Sequence, residues 1–402
     1  MRGSLPGLCA TLLHYTQSML SSRPLPSRLA SLDILRGLVM LFMLVDHVRE
    51  TFYLHKQMSD PVAVDQVDPS LFASRLIAHL CAPAFVLLTG LSAWLYGQRA
   101  QNPRRATSEF LLKRGLFLIF LELTLVNFSW TFDMPPKSIS LQVIWAIGVS
   151  MVALSALLWM PRKALVIFGL VVIAGHNALD GLHFQAGTPL HYVWAVLHDR
   201  SWLDIFGMRV RTSYPVLPWI ALMGMGYAMG PWYSSDSDPT RRRKLLVGTA
   251  VALMVGFLLL RLFNVYGDSP WSSYQQVPQT VMSFFNVTKY PPSLLFLMLT
   301  CSVALLLLAL FENPRVSDVL KPLTQFGGAP MFFYLLHLFV LRALYELAVS
   351  IWGTNQGTLF GFDHVWAVWL TASLLALVLY YPTGAFGRLK ARRKDWPWLR
   401  YL

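Results

Sequence analysis

Ten runs of roughly twenty apolar residues, separated by short polar segments, leave this chain few folds to choose from. They lie at approximately 34–54, 71–97, 109–131, 140–159, 164–180, 213–233, 244–264, 291–311, 327–351 and 364–385. A helix needs about 20 apolar residues to cross about 30 Å of hydrocarbon, where only helices and closed barrels satisfy their own backbone. The pattern predicts an all-α, polytopic transmembrane bundle of about ten helices in one domain. The run 291–311 is the cleanest, opened by Pro291-Pro292 and stopped by Glu312-Asn313-Pro314. Composition agrees: 13% of the 402 residues are charged and 55% hydrophobic, whereas a soluble domain carries about 25% charged residues.

The net charge of +13 is distributed with a bias. With the N-terminus placed in the cytoplasm, the inside segments hold 22 of the 33 Lys and Arg, including Arg99, Arg104, Arg105, Lys113 and Arg114, the run Arg241-Arg242-Arg243-Lys244, and Arg388 to Arg400. The outside segments hold 7, Lys289 among them, and Arg36, Arg75, Arg261 and Arg342 fall within spans. The bias recurs loop by loop, as cytoplasmic loops of membrane proteins require, and it predicts that both termini face the cytoplasm. No nucleic-acid recognition motif accompanies the basic residues. The expected setting is the bilayer of the cell inner membrane, crossed many times.

Three divisions follow: an N-terminal cytoplasmic extension at 1–27, a membrane domain at 28–386, and a basic, aromatic tail at 387–402. Leu8–Leu20 is interrupted by His14, Gln17 and Ser18, which does not suit a signal peptide. It reads as an amphipathic surface segment or as residues ahead of the true start. The three cysteines, Cys9, Cys81 and Cys301, form no CxxC pair, so neither a disulfide framework nor a cysteine metal site is indicated. The histidines of the outer loops (His176, His183, His191, His198) and His364 lack tight ligand spacing, and no metal is expected. The outer loops 181–212 and 265–290 are expected to lie in the interface as short helices or to cap a cavity.

The first span is the least apolar, and for that reason the most informative. It reads Asp33-Ile-Leu-Arg36-Gly37 and ends Val45-Asp46-His47-Val48-Arg49-Glu50. Ionisable groups at membrane depth are costly against lipid, so this helix has to face a bundle interior or a wet cavity. Arg36 and His47 are eleven residues apart, about 20° from one face at 100° per residue and about 16 Å apart along the axis. Asp33 shares that face. One stripe thus carries an Arg near the cytoplasmic surface and a His past mid-depth, which suits a long donor entering from the cytoplasm with its anionic part on Arg36 and its reactive end at His47.

The stretch "SLDILRGLVMLFMLVDH" resembles the first membrane helix of the transmembrane acyltransferase superfamily, and matches the Arg-x10-His pattern of the acyltransferase-3 branch at Arg36 and His47. Residues 28–37 with "HLCAPAFVLLTGLSAWL" at 79–95 resemble the heparan-alpha-glucosaminide N-acetyltransferase catalytic-domain family, including its bacterial members of unknown function. Segments at 114–130, 214–230 and 326–344 are similar to that family as well. The resemblance implies transfer of an acyl group, typically acetyl from acetyl-CoA, to a sugar hydroxyl or amine on the far side of the membrane, with a homodimer as a further expectation. It also implies, for the eukaryotic relatives, Asn at the position of His47 and a catalytic His at the outer end of the first helix, where His55 stands here. His47 and His55 both remain candidates for the base.

Acyl transfer from a thioester needs a base, an oxyanion stabiliser and a positioned donor. His47 suits the base because imidazole titrates near neutral pH. Glu122, mid-span in the third helix, is the expected orienting partner by depth, since Asp46 projects about 100° away from His47. His79 and His337 are further intramembrane candidates, each weighed against a purely structural hydrogen bond. Arg36, with Asp33 as its ion-pair partner, and Arg104, Arg105, Lys113 and Arg114 are expected to hold the CoA phosphates. Two other readings stay open: a transporter or exporter of a small or glycan-linked molecule, since buried His, Asp and Glu also serve proton relays, and a non-catalytic membrane scaffold.

Overall fold

The structure, a computed structural model, describes residues 29–393 together with 395, 396, 398 and 399. The extension at 1–27 lies outside the described residues. Helix α1 (Ala30–Phe52) is followed by α2 (Pro69–Ala78) and α3 (Cys81–Gly97), one span broken at His79–Leu80. Helix α4 (Pro103–Leu121) runs through a π-helical turn at Glu122–Val126 into α5 (Asn127–Thr131). Then come β1 (Ser138–Leu141), α6 (Val143–Leu157), α7 (Arg162–Gly175) with a 3₁₀ turn to Leu179, α8 (Pro189–Leu197), β2 (Trp202–Ile205), β3 (Met208–Thr212) and α9 (Leu217–Ala228). The chain continues through α10 (Pro239–Phe263), α11 (Val277–Phe285), α12 (Leu294–Phe311), α13 (Pro314–Leu320), α14 (Thr324–Gly328), α15 (Pro330–Trp352) and α16 (Val365–Arg392).

The helix starts are written in the sequence. Asp68, Asn102, Thr188, Asp238, Ser293 and Asn313 each accept a first-turn backbone N–H through the side chain. In five of these helices Pro follows in the first turn, where its missing N–H costs nothing.

Among the described residues, six helical segments are long and apolar enough to cross a membrane: Pro69–Gly97, Arg162–Leu179, Pro239–Phe263, Leu294–Phe311, Pro330–Trp352 and Val365–Arg392. The expected spans at 34–54, 109–131, 140–159 and 213–233 fall on helices as well, but α1 is too charged for that criterion and α6 and α9 are short. The outward faces of α7, α10 and α16 are apolar: Val171, Leu259 and Leu377 are 65%, 52% and 68% exposed. Apolar belts of this kind belong against hydrocarbon.

Helix α1 sits at the centre, packed against α2, α3, α12, α14, α15 and α16. Its contact with α14 and the 3₁₀ turn Lys321–Leu323 that precedes it is backbone on backbone. A Cβ on Gly37 would overlap the Leu323 carbonyl, and one on Gly327 would overlap the Asp33 carbonyl. Small residues permit such approach between membrane helices. Gly90 of α3 and Gly226 of α9 do the same for the neighbouring pair.

The all-α expectation needs one correction. Beside the bundle lies a three-stranded sheet in the order β1-β3-β2, with β1 parallel and β2 antiparallel to β3. Phe206 and Gly207, both at positive φ, make the two-residue turn between β2 and β3 that matches strand twist. Residues 202–212 therefore form a hairpin where a loop or interface helix was expected. Helix α16 also continues to Arg392, past the expected end at 385.

Candidate active site

A cavity of about 480 Å³ runs beside α1. At one end it is lined by Asp33, Arg36, Arg99, Arg114 and Lys390, and at the other by Asp46, His47, Tyr214, Lys289 and Tyr334. Between them its wall is apolar, with Met40, Met43, Phe85, Leu118 and Ile147. The first is the basic end of the cavity and the second its loop end. The stripe read from the sequence faces this cavity, and Arg36 and His47 stand about 16 Å apart along α1.

At the basic end Arg36 is held from three sides. Its guanidinium pairs with Asp33 at 3.1 Å and donates to the Ser92 hydroxyl and, at 3.5 Å, to the Leu88 carbonyl. The stacked rings of Tyr96 and Phe110, 4.3 Å apart, line the same end. Four cations against one carboxylate make this end electropositive, with the planar guanidinium forks that grip phosphate. Arg104, Arg105 and Lys113 are exposed and do not line the cavity; Arg105 pairs with Glu109 at 2.9 Å. Arg99 and Lys390, which the sequence places in a basic loop and tail, line this end of the cavity.

At the loop end His47 Nδ1 lies 2.7 Å from His337 Nε2, and His337 Nδ1 lies 2.7 Å from the Phe333 carbonyl oxygen. A carbonyl only accepts, so His337 Nδ1 carries the proton and donates. His337 Nε2 is then a lone pair, and His47 Nδ1–H donates to it. The chain of two bonds fixes the tautomer of His47 and leaves its Nε2 as the basic nitrogen, which has no hydrogen-bond partner among the described residues. Trp130 and Tyr334 set the ring edge-on, at centroid distances of 5.1 and 5.9 Å. Both the Trp130 Nε1–H and the Tyr334 hydroxyl are buried without a hydrogen-bond partner among the described residues.

Glu122 is not the orienting partner of His47. It is fully buried, and its carboxylate accepts from the backbone N–H of Gln142 at 3.3 Å and of Trp145 at 3.1 Å. It caps α6 from a neighbouring helix, and unsatisfied first-turn N–H groups in lipid explain why a carboxylate sits at that depth. His55 lies beyond α1 against Tyr53, at 4.8 Å between rings, and does not line the cavity. Burial, followed by Lys56, holds its imidazole below the usual range. His79 is buried against Phe296, 5.2 Å away, with neither ring nitrogen hydrogen-bonded among the described residues; its neighbours Ala78, Cys81 and Ala82 reach the cavity but it does not.

Lys289 is a site residue that sequence reasoning passed over. It lies between α11 and α12, is 6% exposed, and its ammonium stands 5.1 Å from the Tyr290 ring centre and 5.8 Å from that of Tyr214. Its backbone N–H donates to the Asp60 carboxylate at 3.2 Å. Burial pushes that carboxyl upward, against the pull of Arg75 at 3.4 Å. Not every buried cation serves the cavity: Arg261 is spent on the carbonyls of Ser269, Ser283, Phe284 and Asn286 at 2.7–2.8 Å, closing the end of α11.

A family model described as heparan-alpha-glucosaminide N-acetyltransferase, catalytic, matches residues 28–257, more than half of the chain. The matched part carries Asp33, Arg36, Asp46, His47, Arg99 and Arg114, while Lys289, His337 and Lys390 lie after it. No curated protein matches the chain.

Proposed function

We infer the function from one premise: this chain belongs to the heparan-alpha-glucosaminide N-acetyltransferase catalytic family. It is a membrane acyltransferase that takes an acetyl group from cytoplasmic acetyl-CoA and delivers it to an amine or hydroxyl of a sugar-type acceptor at the opposite face. The observation that carries this reading is a single cavity with a cluster of cations at one end and an oriented imidazole at the other. The basic end is cytoplasmic, with both termini on that side, and the bundle crosses the bilayer ten times. The charge bias supports this orientation.

In this reading Arg36, Arg99, Arg114 and Lys390 hold the CoA phosphates, and the apolar middle of the cavity takes the pantetheine arm. The thioester then lies beside His47. His47 Nε2 accepts the proton of the acceptor as its nitrogen or oxygen bonds to the thioester carbonyl carbon. Lys289 and the Tyr334 hydroxyl supply positive charge and a proton donor for the oxyanion. Collapse breaks the C–S bond, and the proton on His47 passes to the departing thiolate, which restores the base. His337 acts by positioning His47.

The test is acetyl transfer in proteoliposomes with labelled acetyl-CoA on the side of the basic end and glucosamine-type acceptors on the other. Labelled acetyl-sugar is expected from the wild type and not from His47→Ala. If no acceptor is labelled but protons or sugars cross the bilayer without a donor, transport replaces acyl transfer as the function.

A further inference from the structure

A second histidine pair stands apart from the cavity, at the loop end. His176 closes α7, His198 follows α8, and Asp180 lies just beyond the 3₁₀ turn. Both histidines are 1% exposed, while Asp180 is open to solvent. His198 Nε2 lies 3.4 Å from His176 Nδ1 and 3.4 Å from Asp180 Oδ1. One ligand atom from each residue falls within 4.8 Å of the others.

Two physical points bear on this cluster. Zinc binds nitrogen and oxygen at about 2.0–2.1 Å, so the edge of its coordination tetrahedron is about 3.3–3.4 Å. Two edges of the cluster have that length. Further, His198 Nε2 also lies 3.0 Å from the His176 carbonyl oxygen, so beside the His176 ring nitrogen it faces two oxygens that only accept, and its one N–H satisfies one of them. The group holds more lone pairs than protons, which a cation relieves and a neutral hydrogen-bond network does not. The His198 ring is held flat against Trp194, 4.9 Å away at 13°, so the two imidazoles are built into the fold and Asp180 joins them from the solvent side.

We propose that His176, His198 and Asp180 form a binding site for a divalent transition-metal ion of the zinc class. Two imidazoles and one carboxylate suit zinc and leave a fourth position open. His198 and Asp180 also line a polar pocket of about 390 Å³, with His183, Asp199, Arg200 and Tyr290. The open position faces that pocket and takes an oxygen ligand such as water or a sugar hydroxyl. The ion ties the end of α7 to the end of α8 and fixes the wall of the pocket. Tyr290 connects this pocket to the cavity, its hydroxyl 3.2 Å from that of Tyr214. The inference is independent of the acyl-transfer reading.

The test uses the full chain, purified in detergent with its affinity tag removed, treated with EDTA and desalted. Zinc chloride is then titrated by calorimetry, and retained metal is measured by elemental analysis; cobalt(II) in place of zinc reports tetrahedral geometry by its visible absorption. About one equivalent is expected in the wild type, none retained in His198→Ala, and affinity about tenfold weaker or more in Asp180→Asn. The exposed Asp180→Asn variant decides alone if His198→Ala does not fold. No retained zinc in the wild type, or unchanged affinity in Asp180→Asn, overturns the proposal.

Discussion

Helices α1 and α12 pack against each other at the centre of the bundle and are opposites in chemistry. Helix α12 carries no charge, and its polar side chains are spent on backbone carbonyls: Thr300 donates to Phe296 at 2.6 Å and Ser302 to Ala250 at 2.8 Å. Helix α1 carries Asp33, Arg36, Asp46, His47, Arg49 and Glu50. Its acids Asp33 and Asp46 are paired within the helix, with Arg36 at 3.1 Å and with Arg49 at 2.9 Å, and its stripe faces the cavity. Equal centrality therefore does not mean equal environment. A helix can keep ionisable groups in the bilayer interior when each has a partner and the face they share is not lipid.

Helix α12 is expected not to tolerate a charge. Ala304 is fully buried, and Ala304→Asp adds about 2.5–3.5 kcal/mol at a helix centre with no partner in place. Loss of monodisperse folded protein in size-exclusion chromatography is the expected outcome, whereas Asp33 and Asp46 already sit in α1 without harm. Next in size is His47→Ala, which should lower acetyl transfer by about 10²–10⁴-fold and leave the melting temperature close to that of the wild type. A variant that melts early instead would make His47 a packing residue like those of α12.

Arg36→Ala acts at the other end of the stripe. A charged hydrogen bond contributes about 1.5–3 kcal/mol, so KM for acetyl-CoA should rise by roughly ten- to a hundredfold while kcat changes little. Glu122→Gln is expected to have the smallest effect. It weakens the cap on α6 by about 0.5–2 kcal/mol, visible as earlier melting with KM and the pH–rate profile unchanged. A shifted pH profile in that variant would return Glu122 to the role of partner to His47.

What the sequence disclosed follows from the range over which each interaction acts. The spans are local patterns, and the charged residues of α1 stand out because they interrupt one. The His47–His337 bond joins residues 290 positions apart, and no spacing rule reaches that far. Arg99 and Lys390 were hidden by their setting, since a cation at a span end already has a topological explanation. Glu122 misled because depth alone was the argument, and depth does not distinguish a catalytic carboxylate from one needed by a helix start. The sheet was hidden by its size. Met208 to Thr212 alternates Arg209 and Arg211 outward with Val210 and Thr212 inward, a period-two signal only five residues long.

The central claim is that the cavity receives an acyl-CoA from its basic end. It is tested most directly by calorimetric titration of acetyl-CoA into the detergent-solubilised protein, with wild type, Arg36→Ala and His47→Ala measured side by side. Micromolar binding is expected for the wild type, weaker binding for Arg36→Ala, and binding within a few-fold of the wild type for His47→Ala. Absence of binding by acetyl-CoA and longer acyl-CoAs, or equal binding in Arg36→Ala, would contradict it.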